Sequence, residues 1–118
     1  MNRTCAIGSG YFEHERLDAY RQAREVLRGL ARRRESFTGF GWLFNQAIRA
    51  AGSVVLNVAE GASLTTRGAK KRHYRIALGS CGELAAALDV ALAIGLVGLQ
   101  EVEELNRRVA RILRRLAG

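Results

Sequence analysis

The sequence contains no proline, and aromatic residues make up only 7% of its 118 positions. Aromatic and β-branched residues favour strands, whereas alanine, leucine and arginine, which are abundant here, favour helices. Proline would interrupt helices by removing a backbone donor. These absences predict an all-α protein. A chain of this length is expected to form one domain, which buries about two-thirds of the surface that the unfolded chain exposes.

Cysteines are also few, with Cys5 in a glycine-bearing stretch and Cys81 in an apolar one. A disulfide bond between the two cysteines is not expected, and free thiols are typical of a reducing cytoplasm. The first residues lack the apolar run of a secretory signal. No stretch reaches the ~18 uninterrupted apolar residues of a membrane span. We therefore predict a cytoplasmic protein that does not enter a membrane.

Acidic residues are outnumbered by basic ones, eleven against nineteen, which gives a formal charge of +8 and a pI near 10.7. The electrostatic field of this net positive charge attracts polyanions of any kind, including nucleic acid, anionic lipid and acidic proteins. Net charge alone does not choose among these partners.

Four segments are predicted to be helices. The first, third and last repeat apolar residues at spacings of three and four, which is the pattern of helices packed along one side, whereas the second has its polar residues on one strip and is expected to be buried on most sides. The first three cover residues 13–35, 42–60 and 66–94, and the last has glutamates first and arginines after, as the helix dipole favours. The expected buried stripes are Leu17, Tyr20, Ala23, Leu27 and Leu30 in the first segment, Tyr74, Ala77, Cys81, Leu84, Leu88 and Ala91 in the third, and Val102, Leu105, Val109, Ile112 and Leu116 in the last. Short connections predict an antiparallel up-down four-helix bundle over residues 13–118, after a flexible leader at 1–12.

The second and third segments carry more apolar and small surface than one bundle interior can absorb. In the third, a second line of small residues comprises Gly79, Gly82, Ala86 and Ala93. Each glycine costs roughly 1 kcal/mol of helix propensity, which a closely approaching backbone would offset. We predict that these two helices join subunits into a homo-oligomer. The alternative is that alanine-rich faces are simply tolerated in solvent.

Two motifs carry a resemblance to a known family. They are SVVLNVAEG at residues 53–61 and, after a basic stretch, YRIALGSCGELAAAL at residues 74–88. They resemble the four-helix-bundle family that is also called the ribosomal RNA intervening-sequence family, and the resemblance extends over about residues 13–116. The matching positions are Ser53, Asn57, Ala59, Glu60, Gly61, Ala77, Gly79, Ser80, Glu83 and Leu84. Val55 stands where that family usually has proline, and Ala85 where it often has a second glutamate.

The resemblance implies a four-helix subunit that assembles into a ring-like pentamer. Some relatives are encoded within intervening sequences of large-subunit ribosomal RNA genes. Others are similar to the accessory variability determinant of diversity-generating retroelements, a basic pentamer that associates with a reverse transcriptase and binds nucleic acid. The partners implied are therefore further copies of the chain, RNA or DNA, and a reverse transcriptase.

Catalytic patterns are missing from the sequence. Glu60 and Glu83 are the only acids that the motifs single out, and at ~1.5 Å per helical residue they lie at different levels of a bundle, too far apart to share a metal. Neither His14 nor His73 has a glutamate three residues before it, as di-iron bundles require. No phosphate loop or Cys-x-x-Cys motif is found. We predict a non-enzymatic protein without catalytic residues, metal or cofactor.

Several residues of the two motifs are expected to be structural or to lie at subunit contacts. Polar groups on largely apolar helices need hydrogen-bond or charge partners where they are buried. Gly61 is expected to cap the end of the second helix. Candidate partners for Glu60 are Arg49, Arg75 or backbone donors of an adjoining subunit. The full set is Arg49, Asn57, Glu60, Gly61, Gly79, Ser80, Gly82 and Glu83.

Positive charge opens the third predicted helix, for which Thr65 or Thr66 is a suitable N-cap. The helix dipole disfavours cations at this end, and the sequence reveals no local compensation. The residues are Arg67, Lys70, Lys71, Arg72 and Arg75, with a second basic run at Arg32, Arg33 and Arg34. We predict that they contact a polyanion, an ordinary solvated face being the alternative. Whether the two runs share one face depends on the packing.

Two classes of function follow from these features. One is an oligomer that binds nucleic acid through its basic surface without sequence specificity, because nothing provides base-edge contacts and Tyr74 belongs to the predicted core. The alternative is a structural or scaffolding oligomer that binds a protein partner.

Overall fold

Four α-helices account for most of the chain. The computed structural model describes residues 10–118, with side chains from His14 onward. The helices are α1 (Gly10–Ala31), α2 (Gly41–Ser63), α3 (Arg67–Ala93) and α4 (Gln100–Ala117). No strand occurs among residues 10–118, which confirms the all-α prediction. Residues 1–9 of the predicted leader, with Cys5, lie outside the described residues.

The first predicted helix is too long at its end. It was expected to reach residue 35, but α1 ends at Ala31, and a separate 3₁₀ helix covers Arg34–Phe37. Phe37 is buried and meets the Phe44 ring edge-on at a centroid distance of 5.3 Å. The chain turns at this point because that aromatic pair belongs to the core, which a continued α1 would not reach.

The predicted core stripe of α3 is confirmed, since all six of its residues are buried. On α4 the stripe is buried except at Leu105, which is partly buried. On α1 the prediction is wrong at Leu17, which is 46% exposed. The face that α1 buries is centred on Ala19, Ala23, Val26 and Leu30, and its two alanines let neighbouring helices approach closely.

Hydrogen bonds fix the register of neighbouring helices, that is, which residues of one helix lie beside which residues of the next. Ser53 meets Ser80 at 2.8 Å and Asn57 meets His73 at 3.0 Å, so positions that ascend along α2 descend along α3. The buried Asn106 of α4 donates through Nδ2 to the Cys81 carbonyl of α3 at 3.0 Å. We call the end where α2 leads into α3 the α2–α3 end, and the opposite end the α3–α4 end.

Gly61 does not cap α2, because the helix continues to Ser63 and Leu64 follows as its C-cap. The glycine instead gives room to an aromatic ring. A Cβ atom at Gly61 would lie 2.6 Å from Cε1 of Tyr74, closer than any ordinary contact. Thr66 is the N-cap of α3, as expected of one of the two threonines, and its Oγ1 accepts a hydrogen bond from the Ala69 amide at 3.2 Å.

Candidate nucleic-acid interface

The basic start of α3 is accessible to solvent. Arg67, Arg72 and Arg75 are exposed, and Lys70 and Lys71 are partly buried. No acidic residue occurs between positions 67 and 82. This surface is therefore largely exposed to solvent and carries positive charges without any acidic residue between them.

Lys70 has a structural role that the sequence analysis did not predict. Its Nζ donates to the carbonyl oxygens of Gly61 at 3.3 Å and Ala62 at 3.2 Å. These carbonyls belong to the last turn of α2, where unpaired acceptors and the helix dipole favour a cation. The expectation that nothing local compensates the positive charge is therefore wrong at this residue.

The second basic run lies at the α3–α4 end, away from the start of α3. Arg33 donates from Nε to the Gly98 carbonyl at 2.7 Å, from Nη1 to the Gly29 carbonyl at 2.9 Å and from Nη2 to Glu101 Oε1 at 2.9 Å. Its guanidinium thus ties the end of α1 to the connection between α3 and α4. Arg33 is better explained as a structural residue than as a ligand-binding one.

Arg32 and Arg34 are exposed, and the Arg34 guanidinium lies 4.5 Å from the centre of the Phe44 ring. The 23 residues of α2 separate this end from the start of α3, a distance of about 35 Å at 1.5 Å per residue. The two basic runs therefore do not form one local patch.

Polar residues between α2 and α3 form a continuous chain of hydrogen bonds. Asn57 donates through Nδ2 to the Ser53 carbonyl at 2.9 Å and to Ser53 Oγ at 3.2 Å. Its Oδ1 is left to accept from Nδ1 of His73, which assigns the proton of that ring to Nδ1. Ser53 in turn meets the buried Ser80. Asn57 and Ser80 have the partners expected of them, whereas sequence reasoning assigned no role to His73.

The remaining predicted contact residues face outward. Arg49, Glu60, Gly79, Gly82 and Glu83 are all exposed. Large apolar side chains on the same two helices are exposed as well, with Leu56 at 70% and Trp42 at 61%. Ile76 and Val90 are also exposed. The outer surface of α2 and α3 is therefore apolar in several places.

The second half of α4 carries further basic residues, to which sequence reasoning assigned no ligand-binding role. They are Arg107, Arg108, Arg111, Arg114 and Arg115, all exposed. Arg115 forms an ion pair with the largely buried Glu15 at 2.6 Å, and Arg108 lies 3.7 Å from Glu104. No acid occurs between positions 105 and 118, a signal visible in the sequence.

Two buried side chains, Cys81 and Tyr74, are favoured in their neutral forms. Burial raises the pKa of the Cys81 thiol from 9.0 to about 12, against the opposing effect of the Arg114 charge. Burial also raises the pKa of Tyr74, and the charge of Arg16 opposes it. A thiol with so high a pKa is a poor nucleophile. Among residues 10–118 no cluster of three or more His, Cys, Asp or Glu residues could hold a metal ion.

These observations define an all-α protein with four helices. Its sequence matches the family model of the 23S rRNA-intervening sequence protein over residues 15–118, and the chain belongs to that family. The predicted family resemblance is thereby confirmed. Comparison with curated proteins gives no match.

Among the described residues, α3 is long and apolar enough by length and composition to cross a membrane, and 33% of its most apolar stretch is buried. Its buried stripe packs against α2 and α4, and Glu83 and Asp89 lie within the same helix. A core helix of a globular domain has this composition too.

Proposed function

We propose that the protein is a non-enzymatic, cytoplasmic assembly of antiparallel up-down four-helix subunits that binds nucleic acid without sequence specificity. The observation that carries the proposal is the exposed start of α3, where cations occur without any acid from residue 67 to residue 82. Phosphate contacts made by lysine and arginine supply affinity that does not depend on base sequence.

Two features support the bundle and its assembly. The order of the hydrogen bonds between α2 and α3 is that of antiparallel neighbours. The exposed Leu56 and Ile76, with the bare helix surface at Gly79 and Gly82, offer an apolar face for a second copy. A ring-like assembly, with a pentamer implied by the resemblance, would repeat the basic surface and raise its avidity. RNA, DNA and a reverse transcriptase are the proposed partners.

A scaffold that binds a protein partner is the second candidate. It is favoured by the exposed apolar side chains of Leu92, Ile94 and Val97 at the α3–α4 end, of which Val97 is 75% exposed. Surface of this kind is more typical of protein contacts than of phosphate binding.

Fluorescence anisotropy with labelled RNA and DNA across a salt series tests the proposal. The variant changes Arg67, Lys71, Arg72 and Arg75 to Glu and keeps Lys70, because Lys70 holds the end of α2. We expect binding by the wild type at about 50 mM salt that weakens steeply towards 200 mM, and loss of binding by the variant. Absence of wild-type binding at low salt, or binding that the variant retains, would favour the scaffold.

A further inference from the structure

The arginines of α4 extend the basic surface beyond the start of α3. Residues 67–82 of α3 and 105–118 of α4 together contain ten of the nineteen basic residues and no acid. About half of the basic residues of the sequence therefore lie in these two stretches, without an acidic residue among them.

The register of α4 against α3 brings the arginines of α4 close to the cations at the start of α3. Asn106 of α4 bonds to Cys81 of α3, and α4 then continues towards the α2–α3 end, where Arg115 pairs with Glu15 near the start of α1. At about 1.5 Å per residue, Arg114 lies some 12 Å beyond Asn106. Measured along the helix axes, Arg114 therefore lies beside the stretch of α3 between Lys71 and Arg75.

The arginines of α4 divide between its two edges. Arg115 pairs with Glu15 of α1, and Arg108 lines the groove between α1 and α4. Arg107, Arg111 and Arg114 recur at spacings of four and three, so they share the other edge of the exposed surface. This edge is the one nearer to α3, because Asn106, the neighbour of Arg107, bonds to Cys81 of α3. The charge of Arg114 also opposes the rise in the pKa of Cys81.

The exposed arginines on that edge lack a neutralising partner in the part of the chain that the structure describes. Arg107, Arg111 and Arg114 form no ion pair with the residues that the structure describes. Uncompensated charges in a row cost stability through mutual repulsion, and an anionic ligand would relieve that cost.

We propose that the face formed by α3 and α4 binds the phosphate backbone of a nucleic-acid duplex, with Arg107, Arg111 and Arg114 as its second row of contacts. This inference rests on the proposed function and names its ligand. The row spans about 10 Å, on a helix whose axis lies about 8–10 Å from that of its packed neighbour α3. A duplex presents one negative charge per ~1.7 Å of its axis, or about six phosphates over that length.

A duplex fits this face better than a single strand or a membrane surface. Proteins that bind single strands stack bases on exposed aromatic rings, and the only Phe, Trp or Tyr in residues 67–82 and 105–118 is the buried Tyr74. Membrane-surface helices expose large apolar side chains beside their cations. In these two stretches Ile76 is the one large apolar residue that is exposed among those the structure describes.

The test measures binding of the full chain to a duplex of about 20 base pairs, in RNA and DNA form, and to the matching single strands, over roughly 50–200 mM salt. The α4 variant combines Arg107→Gln, Arg111→Gln and Arg114→Gln. The control combines Arg21→Gln, Arg24→Gln and Arg28→Gln on α1, which removes the same charge from exposed positions elsewhere. Glutamine preserves helix propensity, and circular dichroism with thermal melting checks both folds. Arg111→Gln alone serves if the triple variant fails to fold.

We expect the α4 variant to bind the duplex at least about 10-fold more weakly than the wild type. The slope of the logarithm of the binding constant against the logarithm of the salt concentration should also become less steep by about three, whereas the α1 control should change little. Equal effects of the two variants would overturn the α4 row while leaving nucleic-acid binding intact. Single strands bound as tightly as the duplex would overturn the choice of ligand. Absence of binding by the wild type would instead contradict the proposed function itself.

Discussion

The ring of Tyr74 lies directly against the backbone of Gly61, so that a methyl group at Gly61 would approach Cε1 to 2.6 Å. Both residues are buried, and the two helices that carry them meet next to the connection at residues 64–66. The contact explains why a glycine stands inside α2, where alanine would be favoured by roughly 1 kcal/mol.

Replacing Gly61 with alanine should destabilise the fold. The buried ring cannot move aside freely, and overpacking costs about 1–3 kcal/mol, from which the gain in helix propensity subtracts roughly 1. Urea denaturation should therefore give a free energy of unfolding lower by up to about 2 kcal/mol. Gly68→Ala is the control, because nothing lies within 4 Å of a Cβ atom at that position. Equal stability of the two variants would argue against the tight contact.

Lys70 and Lys71 are adjacent in sequence but differ in what they contact. Lys70→Gln removes the cation from the last carbonyls of α2 and should lower the free energy of unfolding by about 1 kcal/mol. Lys71→Gln should change it by less than about 0.5 kcal/mol, as is usual for surface substitutions. Chemical denaturation of both variants checks the difference, and a larger loss from Lys71→Gln would contradict the assigned role of Lys70.

Asn57 links α2 to the His73 ring, so its removal should be costly. Asn57→Ala should lower the free energy of unfolding by about 1–3 kcal/mol, because partly buried partners are left unpaired. Asn45→Ala, at an exposed position of the same helix, provides the comparison. Nitrogen NMR of the wild type should find the neutral His73 ring protonated at Nδ1. A ring protonated mainly at Nε2 would contradict the hydrogen-bond chain.

Cys81 should make stability fall at alkaline pH. The folded thiol has a pKa of about 12 against 9.0 for the ordinary group, so the folded chain keeps a proton that the unfolded chain loses. The stabilisation is complete below pH 9 and is lost as the pH rises towards 12, at up to about 1.4 kcal/mol per pH unit. Tyr74 acts in the same direction above pH 10. In a Cys5→Ser background, Cys81→Ala should flatten the decline that begins near pH 9, and an unchanged decline would rule out the thiol as its cause.

The helices and most of their buried residues could be predicted because the spacing of apolar residues is a local property. Tyr74, Cys81 and Leu88 follow that spacing and are buried. Leu17 was misassigned because the rotation of α1 is set by its neighbours, which bury Ala19 and Ala23 almost completely. A small residue carries little weight in a hydrophobic pattern, even where it marks the closest approach of two helices.

The roles of long side chains could not be predicted from spacing. Arg33 looked like one of three equivalent cations, yet two of its contacts are more than sixty positions away, with Gly98 before α4 and Glu101 in its first turn. Lys70 reaches carbonyls across a turn whose shape the sequence does not specify. The arginines of α4 were assigned to the helix dipole because the side of α4 that faces α3 emerges only from the packing.

Sedimentation velocity of the chain, alone and with a short duplex at low salt, tests the central claim that the protein is a nucleic-acid-binding assembly. We expect a particle of several times 13.0 kDa, near five copies, that carries the duplex with it and releases it as salt is raised. A lone particle of 13.0 kDa beside a duplex that sediments at its own rate would contradict it.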